Sequence, residues 1–439
     1  MFIGLVLTAF CVGWATYTFS LFDVGRFSIT LLLLASCALT VSGFRITPSL
    51  FIACSCLFFS SILAWGVSYM GYKGSERTFT HLFQAMLGIG VMIGTASVNW
   101  DQQWPRFRKM FAWVAVVVLV FGFYQIAARK YGMPLAFLPM TNLQLGSDEG
   151  MQRGYHLALG STGEFTRVSS FLAEPSDLGR FMLWVFAVGL ACRERTQRVL
   201  LLTVGTVGIM LSQSMGGLLG LTLVLAVVML LKRDLRGLFL SMLLFGIAFI
   251  VFSHYWPDET GALMERAGFI ARERGAYLGE TGRFRYIFEH LGVFQAAPFI
   301  GHGIASFRTV TPPESIVFNG VMLLLIERGL IGAFFFLAPF LWVFLRLYRS
   351  SSLRDEVTQT ALFVLVVEIY CFTTFAMIYF PPIYFALGFA VSRIRSGIRL
   401  AHRCPDVPSI GLVDKPVADN SAVLCDASPL RVFPLSGKA

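Results

Sequence analysis

The chain has 439 residues, of which 56% are hydrophobic and only 14% are charged. Soluble domains carry about 25% charged residues, so this composition excludes an ordinary soluble protein and predicts a multi-pass membrane protein. The formal net charge of +10 is explained by loop charges that orient membrane helices, and it gives no reason to expect nucleic acid as a partner.

Apolar runs of about twenty residues, the length that crosses the hydrocarbon core, recur along almost the whole chain. They predict an all-α integral membrane protein with about twelve transmembrane helices. The start of the chain lacks a basic n-region, so a cleaved signal peptide is not expected. The spans are expected near 2–22, 27–44, 49–70, 79–98, 110–128, 178–192, 198–214, 215–231, 237–253, 316–348, 357–380 and 381–398.

These spans predict a single polytopic membrane domain over residues 1–398. The remaining tail, 399–439, is rich in proline and is expected to be disordered. The run from 316 to 348 is long for one span, and Glu327-Arg328-Gly329 inside it predicts a break.

Positive charge in the short loops predicts the orientation of the bundle. Cytoplasmic loops of membrane proteins accumulate lysine and arginine, and most of these residues fall on one side of the twelve-helix arrangement. Both termini are therefore expected in the cytoplasm. Two longer polar segments, about 129–177 and 254–315, are expected on the periplasmic side. The basic residues are Arg45, Arg106, Arg108, Lys109, Arg193, Arg195, Arg198, Lys232, Arg233, Arg236, Arg346, Arg349 and Arg354.

The end of the first periplasmic segment places several charged groups around the start of a span. Pro175 suits a first helical turn, and Ser176 and Asp177 would lie near the positive end of the helix dipole. Helix capping alone explains such a pattern. Arg167 and Glu174 also favour a binding site, because charges at this depth usually have a partner or a ligand.

The second periplasmic segment contains six arginines and seven acidic residues, so it is not a polybasic surface for lipid headgroups. Interspersed charges fit a site where a few arginines bind an anion and carboxylates orient hydroxyl groups. Ile287, Leu291 and Phe294 recur at helical spacing, and Arg283 and His290 share one face of the predicted helix.

Two other polar features lie inside predicted spans. Cys54 and Cys56 favour packing over metal binding, because no clustered histidine or acid accompanies them. Glu368 is an intramembrane acid that either marks an ion path or pairs with a tyrosine or a backbone group. An ion path would suit a transporter or lipid-linked oligosaccharide flippase, but the chain lacks the internal repeat expected of one.

Four motifs in chain order resemble those of the O-antigen polymerase and O-antigen ligase superfamily, especially its exopolysaccharide polymerases. The longest begins at Gly282-Arg283, continues through an amphipathic helix, and ends in a Pro-x-x-Gly-x-Gly turn over residues 298–303. The others are Arg167 with Glu174-Pro175-Ser176, then Ser212-Gln213-Ser214-Met215-Gly216-Gly217, and Asn319 followed by Glu327-Arg328-Gly329-Leu330-Ile331-Gly332.

The resemblance implies a membrane-embedded C-type glycosyltransferase that needs no metal or other cofactor. Its substrate would be a polyprenyl-pyrophosphate-linked oligosaccharide in the outer leaflet of the bilayer, and its partners would be the flippase and the chain-length and export proteins of the same pathway. Arginine suits such a donor because guanidinium binds phosphate in a bidentate way. It also stabilises the charge on a leaving pyrophosphate.

The resemblance also implies roles for particular residues. The catalytic candidates are Glu174, Arg283 and His290, because the acceptor hydroxyl needs a general base or an orienting group and the leaving group needs a cation. The substrate-binding candidates are Arg167, Arg285, His302, Arg308, Glu314 and Asn319.

Two positions depart from the family pattern. Phe318 stands where the family often has histidine before the asparagine, and Met215 replaces a frequent arginine. Because that histidine is implicated in ligase activity, the sequence favours a polymerase that joins repeat units. A ligase that transfers finished polymer to a lipid or protein acceptor is the alternative, and a flippase is a more distant one.

Overall fold

The computed structural model describes residues 46–71, 76–134, 168–170, 172, 175–232, 283–310, 319–349, 355–374 and 381–403. It also describes single positions at 239, 243, 246, 247, 250 and 254. The expected spans near 2–22 and 27–44, most of the span near 237–253, and residues 404–439 lie outside the described residues.

The described part of the chain is helical and contains no strand, as the composition predicts. In chain order the helices are α1 Pro48–Gly71, α2 Glu76–Ser97, α3 Trp100–Tyr131, α4 Pro175–Ala191, α5 Arg195–Ser212, α6 Met215–Lys232, α7 Arg283–Ala296, α8 Phe307–Val310, α9 Gly320–Tyr348, α10 Glu356–Thr374 and α11 Pro381–Arg403.

Five of the described helices, α1, α2, α3, α9 and α10, are long and apolar enough to cross a membrane. Their bounds agree with the predicted spans to within four residues, with two exceptions. Helix α3 begins ten residues before the predicted start at 110, and α10 ends at Thr374, six residues before the predicted end at 380. The extension carries Trp100 and Trp104, which are buried against aromatic residues of α11. The protein is thus a helical membrane protein, and the full number of about twelve spans remains a prediction.

Helix α4 lies at the centre of the described bundle. All of its residues except Ser176 are buried, and it packs against α5, α6 and α10. Glycines on α5 allow the closest approach, since a Cβ on Gly205 would lie 2.9 Å from the backbone nitrogen of Phe186. Close packing at small residues is how helices associate in lipid, where the hydrophobic effect supplies no driving force.

Helix α9 is broken at the predicted position. Gly329 has φ 62° and ψ −173°, which is far from helical geometry, and helical turns continue on both sides of it. A break of this kind in an apolar helix frees N–H and C=O groups that need other partners within the protein. The predicted start of α4 is also confirmed, because the helix begins at Pro175.

Ion pairs link several helices at the side of the bundle that the loop charges predict as cytoplasmic. The guanidinium of Arg108 binds both Glu356 and Glu194, and Arg393 binds Asp101 and Asp355 at 2.7 and 3.0 Å. Arg108, one of the basic residues that set the predicted orientation, therefore also links α3 to α10, and Arg393 links α11 to the start of both helices.

Candidate active site

The Pro-x-x-Gly-x-Gly motif forms a tight turn, residues 298–303, that follows α7 and docks on the break in α9. We call it the glycine turn. Gly301 and Gly303 have φ of 71° and 96°, a region that other residues rarely adopt. Backbone hydrogen bonds join the turn to α9: from His302 N to Ile326 O (2.8 Å), Gly303 N to Glu327 O (2.9 Å), Leu330 N to Pro298 O (2.8 Å) and Ile331 N to Phe299 O (3.0 Å).

These bonds explain why the two motifs occur together. Gly329 interrupts α9, and the glycine turn then pairs with the carbonyls before the break and the N–H groups after it. Backbone groups that were buried at this contact without a hydrogen-bond partner would cost several kcal/mol each. The contact is also too close for side chains, because a Cβ on Gly301 would lie 2.5 Å from the nitrogen of Gly329. The family motif thus encodes a backbone junction.

We expect Gly329→Ala to destabilise the protein by about 3 kcal/mol. The φ and ψ of Gly329 lie in a region that is nearly restricted to glycine, where other residues are strained by up to that amount. A Cβ there would also overlap the carbonyl group of Phe299. Thermal unfolding of the detergent-solubilised protein would measure the loss, and surface polymer should fall with it.

Gly292→Ala is the matched control, because Gly292 lies within α7 and a Cβ there would meet no atom within 4 Å. Alanine favours a helix over glycine by about 1 kcal/mol, so this variant should be at least as stable as the natural protein. Equal stability of Gly329→Ala and Gly292→Ala would contradict the junction.

The charged side chains beside the break support the same junction. Arg328 is fully buried, and its Nη1 donates to the hydroxyls of Ser60 at 2.8 Å and Ser61 at 3.2 Å. The hydroxyl of Ser60 donates in turn to the carbonyl of Gly332 at 2.7 Å. On the other side, Oε1 of Glu327 accepts from the N–H of Ala305 at 3.1 Å. Glu327 and Arg328 therefore hold α1, α9 and the glycine turn together.

Helix α1 forms a further wall of this junction. Ile304 donates its N–H to the carbonyl of Ala64 at 3.1 Å and accepts from the Ser68 hydroxyl at 2.8 Å. A side chain on Gly303 would overlap Ser68. The sequence motifs gave no indication of this role, because isolated serines in an apolar run are also common in helices that only face lipid.

His302 lies at the tip of the glycine turn and is partly exposed. Its Nε2 is 2.8 Å from the carbonyl oxygen of Val293, near the end of α7. His290, one turn before Val293, is buried, and its ring packs edge-on against Phe307 with 5.2 Å between the centroids. The two candidate histidines thus differ in accessibility, which the sequence could not indicate.

Asn319 caps α9, since its Oδ1 accepts from the N–H groups of Val321 at 2.8 Å and Met322 at 3.2 Å. Its predicted role in substrate binding stays a prediction beside this structural one. Arg167, Glu174 and Glu314 lie outside the described residues. The backbones of Arg283, Arg285 and Arg308 belong to helices α7 and α8, but their side chains lie outside the described part of the protein.

The segment between Arg167 and Glu174 is partly described, and it is anchored deep in the bundle. Gln125 of α3 holds Ser170 from both sides: its Nε2 donates to the carbonyl of Ser170 at 3.1 Å, and its Oε1 accepts from the Ser170 N–H at 2.8 Å. The Ser170 hydroxyl donates to the carbonyl of Val118 at 2.6 Å. Val168 and Leu172 are fully buried on either side. This segment therefore has a fixed attachment to α3.

The predicted intramembrane acid, Glu368, pairs with an arginine and a tryptophan. Its Oε2 accepts from Nη2 of Arg180 at 2.5 Å, and its Oε1 accepts from the indole N–H of Trp184 at 2.6 Å. The side chains of Glu368 and Arg180 are 0% and 2% exposed. The sequence left Glu368 with an ion path or a tyrosine or backbone partner. In the structure the ion pair of Glu368 with Arg180 joins α10 to α4. The sequence offered one sign of this partner, because Arg180 is itself a charged residue inside a predicted span.

The Ser212–Gly217 motif lies beside this ion pair, at the junction of α5 and α6. Gln213 adopts a left-handed conformation with φ 45°, and Ser212, Gln213 and Ser214 are all buried. The hydroxyl of Tyr370 donates to the carbonyl of Gly216 at 2.5 Å. The motif thus forms a buried turn against α4 and α10. Within the described ranges, no group of three or more His, Cys, Asp or Glu side chains is arranged to hold a metal ion.

Apolar spanning helices, a helix broken at Gly329 and a glycine turn docked on that break define a multi-pass membrane protein. A comparison with known protein families identifies the family within this class. The model of the WcaD colanic acid polymerase family matches residues 5–379, and the chain belongs to that family. No curated protein and no solved structure matches the chain.

Proposed function

We propose that the protein joins polyprenyl-pyrophosphate-linked oligosaccharide repeat units into an exopolysaccharide at the periplasmic face of the bacterial inner membrane. The observation that carries this proposal is the family match, which covers 375 residues, from 5 to 379, and names a polymerase of colanic acid. The product is a polymer of the same chemical class, built from a lipid-linked repeat unit. The donor and the acceptor both approach from the outer leaflet.

The proposed chemistry needs cations where the leaving group departs. When the bond between the sugar and the pyrophosphate breaks, negative charge develops on the pyrophosphate, and preorganised positive groups lower the barrier. Helix α7 begins at Arg283, and Arg285 lies two residues further on. Helix N-termini also attract phosphate through their free N–H groups. We assign the pyrophosphate to Arg283, with Arg167, Arg285 and Arg308 as further contacts, and no metal is required.

The proposed acceptor is a hydroxyl group on the end of another glycan chain. Glu174, Glu314 and Asn319 are the candidates for orienting it, since carboxylate and amide oxygens accept hydrogen bonds from sugar hydroxyls. The docked junction between the glycine turn and α9 supports these assignments, because it fixes the end of α7 relative to Asn319 at the start of α9. Rigid support of this kind is what positions reacting groups.

The size and attachment of surface glycan in a deletion strain would test the proposal. A polymerase predicts that the strain accumulates single repeat units and that the natural protein, supplied from a plasmid, restores long chains. Long chains that remain unattached to their acceptor would indicate a ligase instead. Repeat units trapped on the cytoplasmic side would indicate a flippase. Phe318, at the position where ligases often have histidine, favours the first result.

A further inference from the structure

The geometry of His302 fixes which of its ring nitrogens can accept a proton. Nε2 lies 2.8 Å from the carbonyl oxygen of Val293. A carbonyl oxygen only accepts hydrogen bonds, so Nε2 must carry the hydrogen. In the neutral ring the lone pair is then on Nδ1. Among the residues that the structure describes, Nδ1 of His302 has no hydrogen-bond partner.

The backbone around His302 is rigid. The N–H of His302 donates to Ile326, and the flanking glycines pack against Gly329 and Ser68 too closely for any side chain. The imidazole is thus held in one orientation before a substrate arrives, and such preorganisation is what a catalytic group requires. Its partial exposure leaves it accessible, whereas His290 is only 2% exposed and packs against Phe307.

We propose that His302 is the general base of the polymerisation reaction, a role that rests on the proposed function. The acceptor hydroxyl transfers its proton to Nδ1 of His302 as its oxygen forms a bond to the anomeric carbon of the donor sugar. The bond between that carbon and the pyrophosphate oxygen breaks, and its electron pair leaves with the polyprenyl pyrophosphate. The imidazolium then releases the proton to water.

The position of His302 relative to the proposed phosphate site suits this role. His302 is hydrogen-bonded to the carbonyl oxygen of Val293. Val293 follows Arg283 by ten residues in α7, which corresponds to about 15 Å along a helix. A base and a leaving-group cation belong on opposite sides of the reacting carbon. A pyrophosphate and a sugar ring fit within such a distance, so one substrate can lie between the two residues.

The variant His302→Gln tests the proposal with the purified full-length protein in liposomes, supplied with the native lipid-linked repeat unit. A glutamine amide preserves an N–H donor near the position of Nε2, so the bond to Val293 can persist, but it cannot accept a proton. Because general bases contribute about 10² to 10⁴ in rate, we expect kcat to fall at least a hundredfold while KM for the donor is unchanged. An unchanged kcat would overturn the proposal.

Chemical rescue separates loss of the base from loss of the fold. Added imidazole should restore part of the activity of His302→Ala, and it should not restore Arg283→Ala, which lacks a cation instead of a base. His302 is not the base if added imidazole fails to rescue His302→Ala although that variant unfolds at the same temperature as the natural protein. If the natural protein forms no polymer from the repeat unit, the proposed function itself fails, whatever the variants do.

Discussion

Arg283→Ala should leave the protein folded in the membrane and stop polymer growth. The loss is expected because removal of one preorganised group that stabilises developing negative charge costs about 10² to 10³ in rate. The helix begins at this residue, so the substitution removes the guanidinium and leaves the helical N–H groups in place. The measurement is the length distribution of polymer formed from lipid-linked repeat units, together with the amount of protein in the membrane.

Two further variants serve as controls for Arg283→Ala. Arg283→Lys retains the charge but not the planar bidentate group, so it should recover only part of the rate. Arg346→Ala removes an exposed arginine from the last turn of α9, on the predicted cytoplasmic side, and should polymerise normally. Long polymer of natural length in Arg283→Ala would refute the proposed phosphate site.

Glu368→Ala should be among the most destabilising single substitutions in the bundle. It leaves the guanidinium of Arg180 buried in the core without its carboxylate, and Trp184 without its acceptor. Removal of one partner of a buried ion pair costs about 3 to 5 kcal/mol, because the other charge remains buried and uncompensated. A lower temperature of unfolding in detergent and a reduced amount of protein in the membrane would register this loss.

The double variant Arg180→Met with Glu368→Leu is the informative comparison. It replaces the ion pair by apolar side chains of similar size, a change that is often neutral or stabilising in buried sites. We therefore expect it to be more stable than Glu368→Ala, although it carries one more substitution. If the double variant were the less stable of the two, the buried charge of Arg180 would not be the cause of the loss in Glu368→Ala.

The activity of the double variant tests a property that is separate from its stability. The ion pair links α4 to α10, and Tyr370 on the same helix as Glu368 binds the Ser212–Gly217 turn. The segment before α4 carries Glu174 and is fixed to α3 through Ser170 and Gln125. We expect Arg167 and Glu174 to face Arg283 across the outer mouth of the bundle. The double variant would show whether the junction of α4 and α10 serves that alignment.

Much of the helical architecture was predictable because it depends on local sequence. Lipid requires about twenty apolar residues for a span, so α1 and α2 could be placed within a few residues. The break in α9 and the start of α4 were also predictable, since glycine permits backbone conformations that other residues avoid and proline fixes φ near the value of a first helical turn. The motifs pointed to the glycine turn as a special feature and supplied the resemblance to a polymerase family.

Pairings between distant residues were decided only by the tertiary structure. Arg328 binds Ser60 across 268 positions, and Arg180 binds Glu368 across 188 positions. No periodicity or spacing marks such partners, because a serine or an acid in an apolar run looks the same whether it faces lipid, a backbone group or a buried charge. The same holds for the two candidate histidines. His290 lies on a predicted amphipathic face and is buried, whereas His302 stays accessible because the packing of the glycine turn against α1 and α9 positions it.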